Sequence, residues 1–294
     1  MNQIPESITI PSGNALLAVK LYPRPASETI LLLHGGPGVP DEMTEVREAL
    51  TGQLQVITFD QRGTGTDKCP GCAFSVPEYI DDINNIANHF QLEKFHLFGH
   101  SWGGLYAQLY AGEFPGRIVS LFLCSSASGT GKKIWGLTEK EVFLYNRSHS
   151  TTGEWMIMGI NTLLALLGSN SAYRRLFRQV IINYHKGYNV PPPEPEKLAK
   201  INSLAANKTR QAIKQYPPLP VFGKTTYPVM ITYGQYDAYG VSKEYVFERF
   251  PFARTAIIPG CGHTPWKHNL KAFTKVLYNF YETPRRGGGT PSGW

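Results

Sequence analysis

Long apolar runs are missing from this sequence of 294 residues. No segment approaches the roughly 20 consecutive apolar residues that a helix needs to cross a bilayer. The first residues, MNQIPESITIPSG, also lack the basic start and the apolar run of a secretory signal. We therefore expect no stable membrane insertion, and the cytoplasm is the simplest location.

Cysteine is scarce as well, because the chain has only four, at Cys69, Cys72, Cys124 and Cys261. Four cysteines with this uneven spacing cannot form the disulfide scaffold of a chain this long, so reduced thiols are expected. The stretch CPGC at 69–72 is a CxxC motif, but no second CxxC or histidine pair lies nearby to complete a zinc site. It is interpreted as part of a loop, and neither a metal nor another cofactor is predicted.

Charged residues make up only 17% of the chain, and the net charge is +7. The basic residues stand in separate short clusters at 132–133, 174–175 and 285–286. Such clusters are typical of solvated faces rather than of a continuous phosphate-binding track. A nucleic-acid partner is therefore not predicted, and no pattern specifies an oligomeric state.

Short, nearly continuous apolar runs alternate with helical stretches through most of the chain. Runs of this kind fill the strands of a parallel sheet that is covered on both faces. Their alternation with helices predicts an α/β fold, a mostly parallel doubly wound sheet with right-handed crossovers. Two earlier runs, ESITI and NALLAVKLYP, predict an antiparallel hairpin. The predicted parallel strands are TILLLHG, LQVITFD, KFHLFGH, IVSLFLCSS, YPVMITYG and TAIIPG.

The alternation stops over 129–226, where aromatic and aliphatic residues recur at helical spacing. A helical cap over the sheet is the economical interpretation, with 1–128 and 227–283 forming the two parts of the core. The apolar stretch 155–167 could instead dip into a membrane interface, but its polar face lacks the Lys and Arg that favour this role. Residues 284–294 are rich in Gly and Pro and are predicted to form a flexible tail.

The stretch GHSWG at 99–103 lies where a predicted buried strand meets a helix. Ser101 is two residues from Gly99 and from Gly103, which relieve the crowding of a sharp turn. This G-x-S-x-G arrangement indicates a nucleophile elbow, with the serine oxygen above the sheet at the positive end of the following helix. The alternative is a tight turn without chemistry.

A serine in such an elbow needs a base and an acid that follow it in the chain. Asp237 and His263 each come just after a predicted strand, where doubly wound sheets assemble their sites. Asp237 is expected to orient His263, which takes the proton of Ser101. The alternative for both residues is a surface loop that makes local turns. The weaker candidates are His100, His268 and Asp60.

Negative charge that develops on a carbonyl oxygen needs hydrogen-bond donors. The glycines of HGGPG at 34–38 let backbone N–H groups approach a substrate closely. The amide of the residue after the nucleophile is the usual second donor. Gly36 and Trp102 are therefore predicted to form an oxyanion hole, with Gly35 against the substrate and His34 holding the loop.

Five motifs together resemble the prolyl iminopeptidase branch of the α/β-hydrolase superfamily. They are HGGPG, DQRGTG at 60–65, GHSWGG at 99–104, GQYD at 234–237 and GCGH at 260–263. The resemblance spans nearly the whole chain outside the cap. It implies serine hydrolysis that removes an N-terminal proline from short peptides, beneath a helical cap and without a cofactor. The implied partner is a short peptide or another small molecule.

Two positions depart from the pattern of that family. A glutamate that helps to hold the substrate's free amino group commonly follows the catalytic aspartate, whereas this chain has Ala238. Carboxylates of the cap could replace it, and the candidates are Glu154, Glu194 and Glu196. Asp67 stands where a serine is usual and is interpreted as a loop variation.

Aromatic residues are candidates for lining a substrate pocket, although at helical spacing they more often belong to a core. The candidates are Trp135, Tyr145, Trp155 and Trp266. Two rival functions stay open. One is an esterase, lactonase or tailoring hydrolase of an apolar metabolite without a free amine. The other is a receptor that keeps the hydrolase fold and binds a ligand without turning it over.

Overall fold

The structure, a computed structural model, describes residues 4–40, 42–64, 69 and 71–282. The strands within these residues are β1 (Glu6–Ser12), β2 (Ala15–Tyr22), β3 (Thr29–Leu33), β4 (Gln55–Phe59), β5 (Phe95–His100), β6 (Ile118–Cys124), β7 (Val229–Gly234) and β8 (Arg254–Ile258). They form one sheet in the order β1-β2-β4-β3-β5-β6-β7-β8. β1 and β2 form the predicted antiparallel hairpin, β2 also pairs antiparallel with β4, and the other pairings are parallel.

Helices lie on both faces of the parallel part of the sheet. In chain order the helices of the described residues are α1 (Thr44–Thr51), α2 (Val76–His89), α3 (Trp102–Glu113), α4 (Lys132–His149), α5 (Thr152–Leu166), α6 (Asn170–Tyr184), α7 (Pro195–Ala199), α8 (Ser203–Gln215), α9 (Glu244–Arg249), α10 (Pro265–His268) and α11 (Leu270–Tyr281). Helical crossovers between neighbouring parallel strands cover a sheet in this way. The predicted doubly wound α/β architecture is therefore confirmed.

The apolar residues of the central strands pack into a core on one side of the sheet or the other, whereas β8 at the edge is largely exposed. In β3, Leu31 and Leu33 pack into one core cluster, while Ile30 and Leu32 pack into the second. Side chains of a strand alternate between the two faces, so a strand buried on both faces is apolar at every position. β3, β5, β6, β7 and β8 are parallel neighbours, and their carboxyl ends therefore meet at one edge.

The segment between β6 and β7 contributes helices α4 to α8, all within the range 129–226. α5 packs along α6 and buries Met158, Asn161 and Ala165. Its outer face is apolar and exposed, at Met156, Ile157, Ile160 and Leu163. Among the residues described by the structure, no helix is both long and apolar enough to span a bilayer.

The expectation of reduced thiols is wrong for one pair of cysteines, because Cys69 and Cys72 are joined in a disulfide. Gly71 has a φ of +89°, and the turn brings the two Cα atoms to 5.4 Å, a separation at which disulfides form. Cys124 and Cys261 are free and buried. Asp67 and the predicted tail at 284–294 lie outside the described residues.

Candidate active site

Ser101 lies between the end of β5 and the start of α3 in a backbone conformation that few residues adopt. Its φ is +55° and its ψ is −120°. Neither neighbouring glycine has room for a side chain: a Cβ on Gly99 would overlap the carbonyl of Gly103, and a Cβ on Gly103 would overlap that of Leu33. The two glycines thus allow strand and helix to meet closely enough to hold Ser101 in this conformation.

Loops after β7 and β8 bring two further side chains to Ser101. The Oγ of Ser101 donates to Nε2 of His263 over 3.1 Å, and Nδ1 of His263 donates to Oδ1 of Asp237 over 2.9 Å. The three residues are far apart in the sequence, but parallel strands end at the same edge of the sheet. The arrangement has the order and the contacts of a nucleophile, a base and an orienting acid.

Asp237 is suited to orienting an imidazole because it stays ionised. Burial of its side chain opposes ionisation, but the His263 ring and the amide of Tyr239 help to outweigh burial and hold the pKa of Asp237 below its ordinary value. The Tyr239 amide donates to Oδ1 over 3.0 Å. A buried carboxylate with these partners fixes the ring nitrogen that carries the hydrogen on His263.

Tyr239 is a contact of Ser101 that sequence reasoning missed. Its hydroxyl lies 3.1 Å from Oγ of Ser101, and its ring centroid is 4.8 Å from that of His263. Burial raises the pKa of Tyr239 well above its ordinary value, so the phenol stays protonated. The sequence does offer one indication of this contact, because Tyr239 stands two residues after Asp237 in the same loop.

The histidines that were weaker candidates take supporting positions. Nε2 of His100 donates to the carbonyl oxygen of His263 over 2.9 Å, and burial lowers the pKa of His100 to about 3. His268 accepts from the amide of Gly262 at Nδ1 and donates from Nε2 to Nδ1 of His185, each over 2.9 Å. His100 and His268 both therefore brace the loop that carries His263.

The HGGPG loop lies directly beside Ser101. A Cβ on Gly35 would come within 3.4 Å of Cβ of Ser101, and both Gly35 and Gly36 line the cavity above the serine. Trp102 is the first residue of α3, and the first amides of a helix have no partner within the helix. His34 holds this loop as predicted, since its Nδ1 donates to the carbonyl oxygen of Gly35 over 2.7 Å.

The DQRG motif supports these loops. Gln61 donates from Nε2 to the carbonyl oxygen of His34 over 2.9 Å and accepts from the Trp102 indole at Oε1 over 2.8 Å. It therefore ties together the two segments predicted to stabilise an oxyanion. Arg62 is fully buried and pairs with Asp82 through both carboxylate oxygens, at 2.8 Å and 2.6 Å. That bidentate pair anchors the loop to α2.

A cavity of about 620 Å³ opens above Ser101, between the edge of the sheet and helices α4, α5, α6 and α8. Ser101, His263 and Tyr239 lie in its wall, together with Gly35, Gly36, Trp135 and Trp266 from the predicted set. A cavity of this size accommodates a small molecule or a short peptide.

Four of the residues predicted to contact a substrate do not line this cavity. Trp155 packs edge-on against Phe143. Tyr145 stacks on His149 and packs edge-on against Tyr184. These contacts are made because helix faces pack against neighbouring helices. The other two, Glu194 and Glu196, are exposed at the start of α7, where Glu194 pairs with Lys197.

Within the described part of the chain, the cavity wall has two carboxylates that the sequence did not indicate, Glu42 and Glu139. Glu139 accepts from the Trp135 indole over 2.9 Å and pairs with Lys214 over 2.8 Å. Glu154, a further candidate, instead closes a capping box with Thr151 at the start of α5. Ala238 is buried beside Asp237.

The sheet, the strained serine at its carboxyl edge and the cavity above it define a hydrolase of the α/β class. The chain belongs to the alpha/beta hydrolase fold family, whose model matches residues 28–266. The predicted resemblance is confirmed by curated relatives. A proline iminopeptidase of Lactobacillus delbrueckii subsp. bulgaricus is 26% identical over 269 residues, which cover 84% of this chain and 88% of that protein. One of Clostridioides difficile is 32% identical over 40% of each chain.

Solved structures agree with this fold. The proline iminopeptidase of Mycobacterium smegmatis has a TM-score of 0.66 at 18% identity, with 94% of this chain and 98% of that chain covered. An enol-lactonase of Burkholderia xenovorans LB400 has a TM-score of 0.66 at 16% identity, with 94% and 100% covered. At such identities the likeness establishes the fold. Together with the family match, it places the chain among hydrolytic enzymes.

Proposed function

We propose that this chain is a serine hydrolase that cleaves a small amide or ester through an acyl-enzyme. The observation that carries the proposal is the hydrogen-bonded series from Ser101 through His263 to Asp237 at the floor of the cavity. Serine alone is a weak nucleophile, and an adjacent oriented base is what activates it.

In the proposed reaction, Ser101 Oγ bonds to the carbonyl carbon while its proton passes to Nε2 of His263. The carbonyl oxygen becomes an anion, which the amides of Gly36 and Trp102 stabilise. The tetrahedral intermediate collapses, and His263 protonates the departing amine or alcohol. A water then gives its proton to His263 and attacks the acyl carbon, releasing the acid and restoring Ser101.

Release of an N-terminal proline from a short peptide is the first substrate candidate. It is supported by the relatives named proline iminopeptidase and by the HGGPG and DQRG motifs. Such a substrate brings a free ammonium into the cavity, and a buried cation requires a compensating partner. Glu42 and Glu139 are carboxylates of the cavity wall.

The second candidate is an ester, lactone or amide metabolite without a free amine. Two observations favour it: Ala238 stands where the family has an amine-binding glutamate, and Glu139 is already paired with Lys214. The test compares prolyl-4-nitroanilide with short 4-nitrophenyl acyl esters. Preference for the prolyl amide supports the peptidase, and preference for the esters supports the metabolite hydrolase. Binding without multiple turnover on either would indicate a receptor.

The cap and the cytoplasmic location are part of the same proposal. We assign 129–226 as a cap that covers the cavity, because α4, α5, α6 and α8 supply much of its wall. For the cytoplasm, the free thiols of Cys124 and Cys261 are supporting evidence, whereas the disulfide between Cys69 and Cys72 is evidence against it, because disulfides are rare in the cytosol.

Replacing Ser101 tests the mechanism. Ser101→Ala is expected to lose fluorophosphonate labelling and to lower kcat by a factor on the order of 10³ or more, since the covalent route is removed. Ser7→Ala, at an exposed serine of β1, is the control and should behave as the wild type. Comparable turnover by Ser101→Ala would contradict the proposal.

A further inference from the structure

One face of α8 contributes a polar stripe to the cavity. The residues Asn207, Arg210, Gln211 and Lys214 all line it. They are spaced three, four and seven residues from the first, which puts them on one side of a helix. The cap therefore presents two cations to the space above Ser101.

These two cations differ in their partners. Lys214 pairs with Glu139 at 2.8 Å, so its charge is neutralised within the wall. Arg210 has no carboxylate partner within ion-pair distance among residues 4–40, 42–64, 69 and 71–282. Its Nη2 donates instead to the hydroxyl of Tyr173 over 2.9 Å, with the guanidinium 5.5 Å from the centre of that ring. Tyr173 thus holds the guanidinium in place without cancelling its charge.

The positive charge of Arg210 acts on two tyrosines at the floor of the cavity. It lowers the pKa of Tyr184 and of Tyr239, in opposition to the burial that raises both. The hydroxyl of Tyr239 is 3.1 Å from Oγ of Ser101. Arg210 and Ser101 line the same cavity, so a molecule bound to Arg210 lies in the space above Ser101.

We propose that Arg210 binds a carboxylate of the substrate, so that the preferred amide or ester carries a carboxylate group. A half-buried guanidinium has given up part of its hydration, and a carboxylate restores the lost interaction through paired N–H donors. Nη1 and Nε of Arg210 remain available for such a pair, since the bond to Tyr173 uses only Nη2. This inference rests on the proposed hydrolase function and names the class of its substrate.

Binding to the Ser101→Ala protein tests Arg210 separately from turnover. The probes are straight-chain alkanoates of four to ten carbons and the matching alkanamides, titrated by calorimetry. We expect the best alkanoate to bind about tenfold or more tightly than its amide, a typical effect of a charged hydrogen-bonded pair. Arg210→Met should abolish this preference and Arg210→Lys should retain part of it.

Lys208→Met provides the matched control, because Lys208 is an exposed residue of α8 outside the cavity wall. It removes the same formal charge and should leave the preference for the acid intact. Equal binding of acid and amide to the Ser101→Ala protein would overturn the inference. So would a preference that survives Arg210→Met, or one that Lys208→Met removes equally.

Turnover by the protein with Ser101 intact supplies the second measurement. Mono-4-nitrophenyl glutarate carries a carboxylate on its acyl part, whereas 4-nitrophenyl valerate is its neutral counterpart. A selective fall in kcat/KM for the glutarate ester in Arg210→Met supports the inference, and an equal fall for both esters contradicts it. Absence of both turnover and fluorophosphonate labelling would refute the hydrolase mechanism, while the binding titrations would still decide the role of Arg210.

Discussion

At the scale of single residues, the contact between Tyr239 and Ser101 adds a protonated donor to the reacting centre. Oγ of Ser101 donates its own hydrogen to His263, so the hydroxyl of Tyr239 is the donor in the second contact. Burial keeps this phenol neutral, and it therefore acts through hydrogen bonding rather than as a base.

Tyr239→Phe removes that hydroxyl and keeps the ring against His263. We expect kcat/KM to fall about tenfold, the effect of losing one hydrogen bond of about 1.4 kcal/mol in the transition state. Steady-state kinetics on a 4-nitrophenyl ester measure it. Tyr236→Phe changes an exposed tyrosine of the same loop and serves as the control. Equal kcat/KM values for the two variants would show that the Tyr239 contact has no part in the reaction.

At the scale of elements, the junction of β5 with α3 depends on the absence of side chains. Gly103 lies against the backbone of β3, where a Cβ would overlap the carbonyl oxygens of Leu33 and His34. Backbone atoms of a central strand cannot move aside as the end of a flexible side chain can. In contrast, a Cβ on Gly159 of α5 would meet no other group within 4 Å.

Two glycine replacements are therefore expected to have opposite effects. Gly103→Ala should lower the free energy of unfolding by about 3 kcal/mol or more, because overpacking forces strand and helix apart. Gly159→Ala should raise it by about 0.5–1 kcal/mol, the usual gain within a helix. Urea denaturation of both variants gives the comparison. A neutral Gly103→Ala would mean that the junction is not tightly packed.

At the scale of the whole molecule, the end of α6 and the segment after β8 are joined by two neutral histidines. His185 at the end of α6 accepts from His268 on α10 over 2.9 Å. Burial lowers the pKa of His185 to about 4 and that of His268 to about 3. Neither ring takes up an additional proton near neutral pH. The hydrogen bond between His185 and His268 requires one of the two rings to be an acceptor.

Lowering the pH should therefore destabilise the folded chain. Between about pH 4 and the ordinary histidine value of 6.5, the unfolded chain binds a proton at His185 and the folded chain does not. Unfolding takes up a proton in this window, so the free energy of unfolding falls as the pH falls.

Urea denaturation at pH 7 and pH 5 measures this dependence. His185→Asn keeps an acceptor for His268 but removes the titrating imidazole. It should reduce the slope of the free energy of unfolding against pH by at most about 1.4 kcal/mol per pH unit. His89→Asn, at an exposed ring of α2, is the matched control. A slope in His185→Asn equal to that of the wild type would contradict the assignment.

The sequence predicted the sheet and the loops at its edge much better than the cavity wall. β3 is recognisable as a buried strand because residues 30–33 are all aliphatic, and Ser101, Asp237 and His263 each follow a predicted strand. Those positions depend on local pattern and on the geometry of parallel sheets. The wall depends on how α4 to α8 pack, which no local pattern specifies, so Trp155 packs on Phe143 and the stripe with Arg210 was missed.

The backbone of Ser101 also restricts which chemistries this scaffold can host. At a φ of +55°, a side chain that branches at Cβ collides with its own backbone, so threonine is excluded as a replacement nucleophile. Cysteine has the same unbranched shape and remains compatible with the turn. Redesign at this position is therefore confined to nucleophiles that are unbranched at Cβ, such as cysteine or aspartate, and any broader change of reactivity has to come from the groups that surround it.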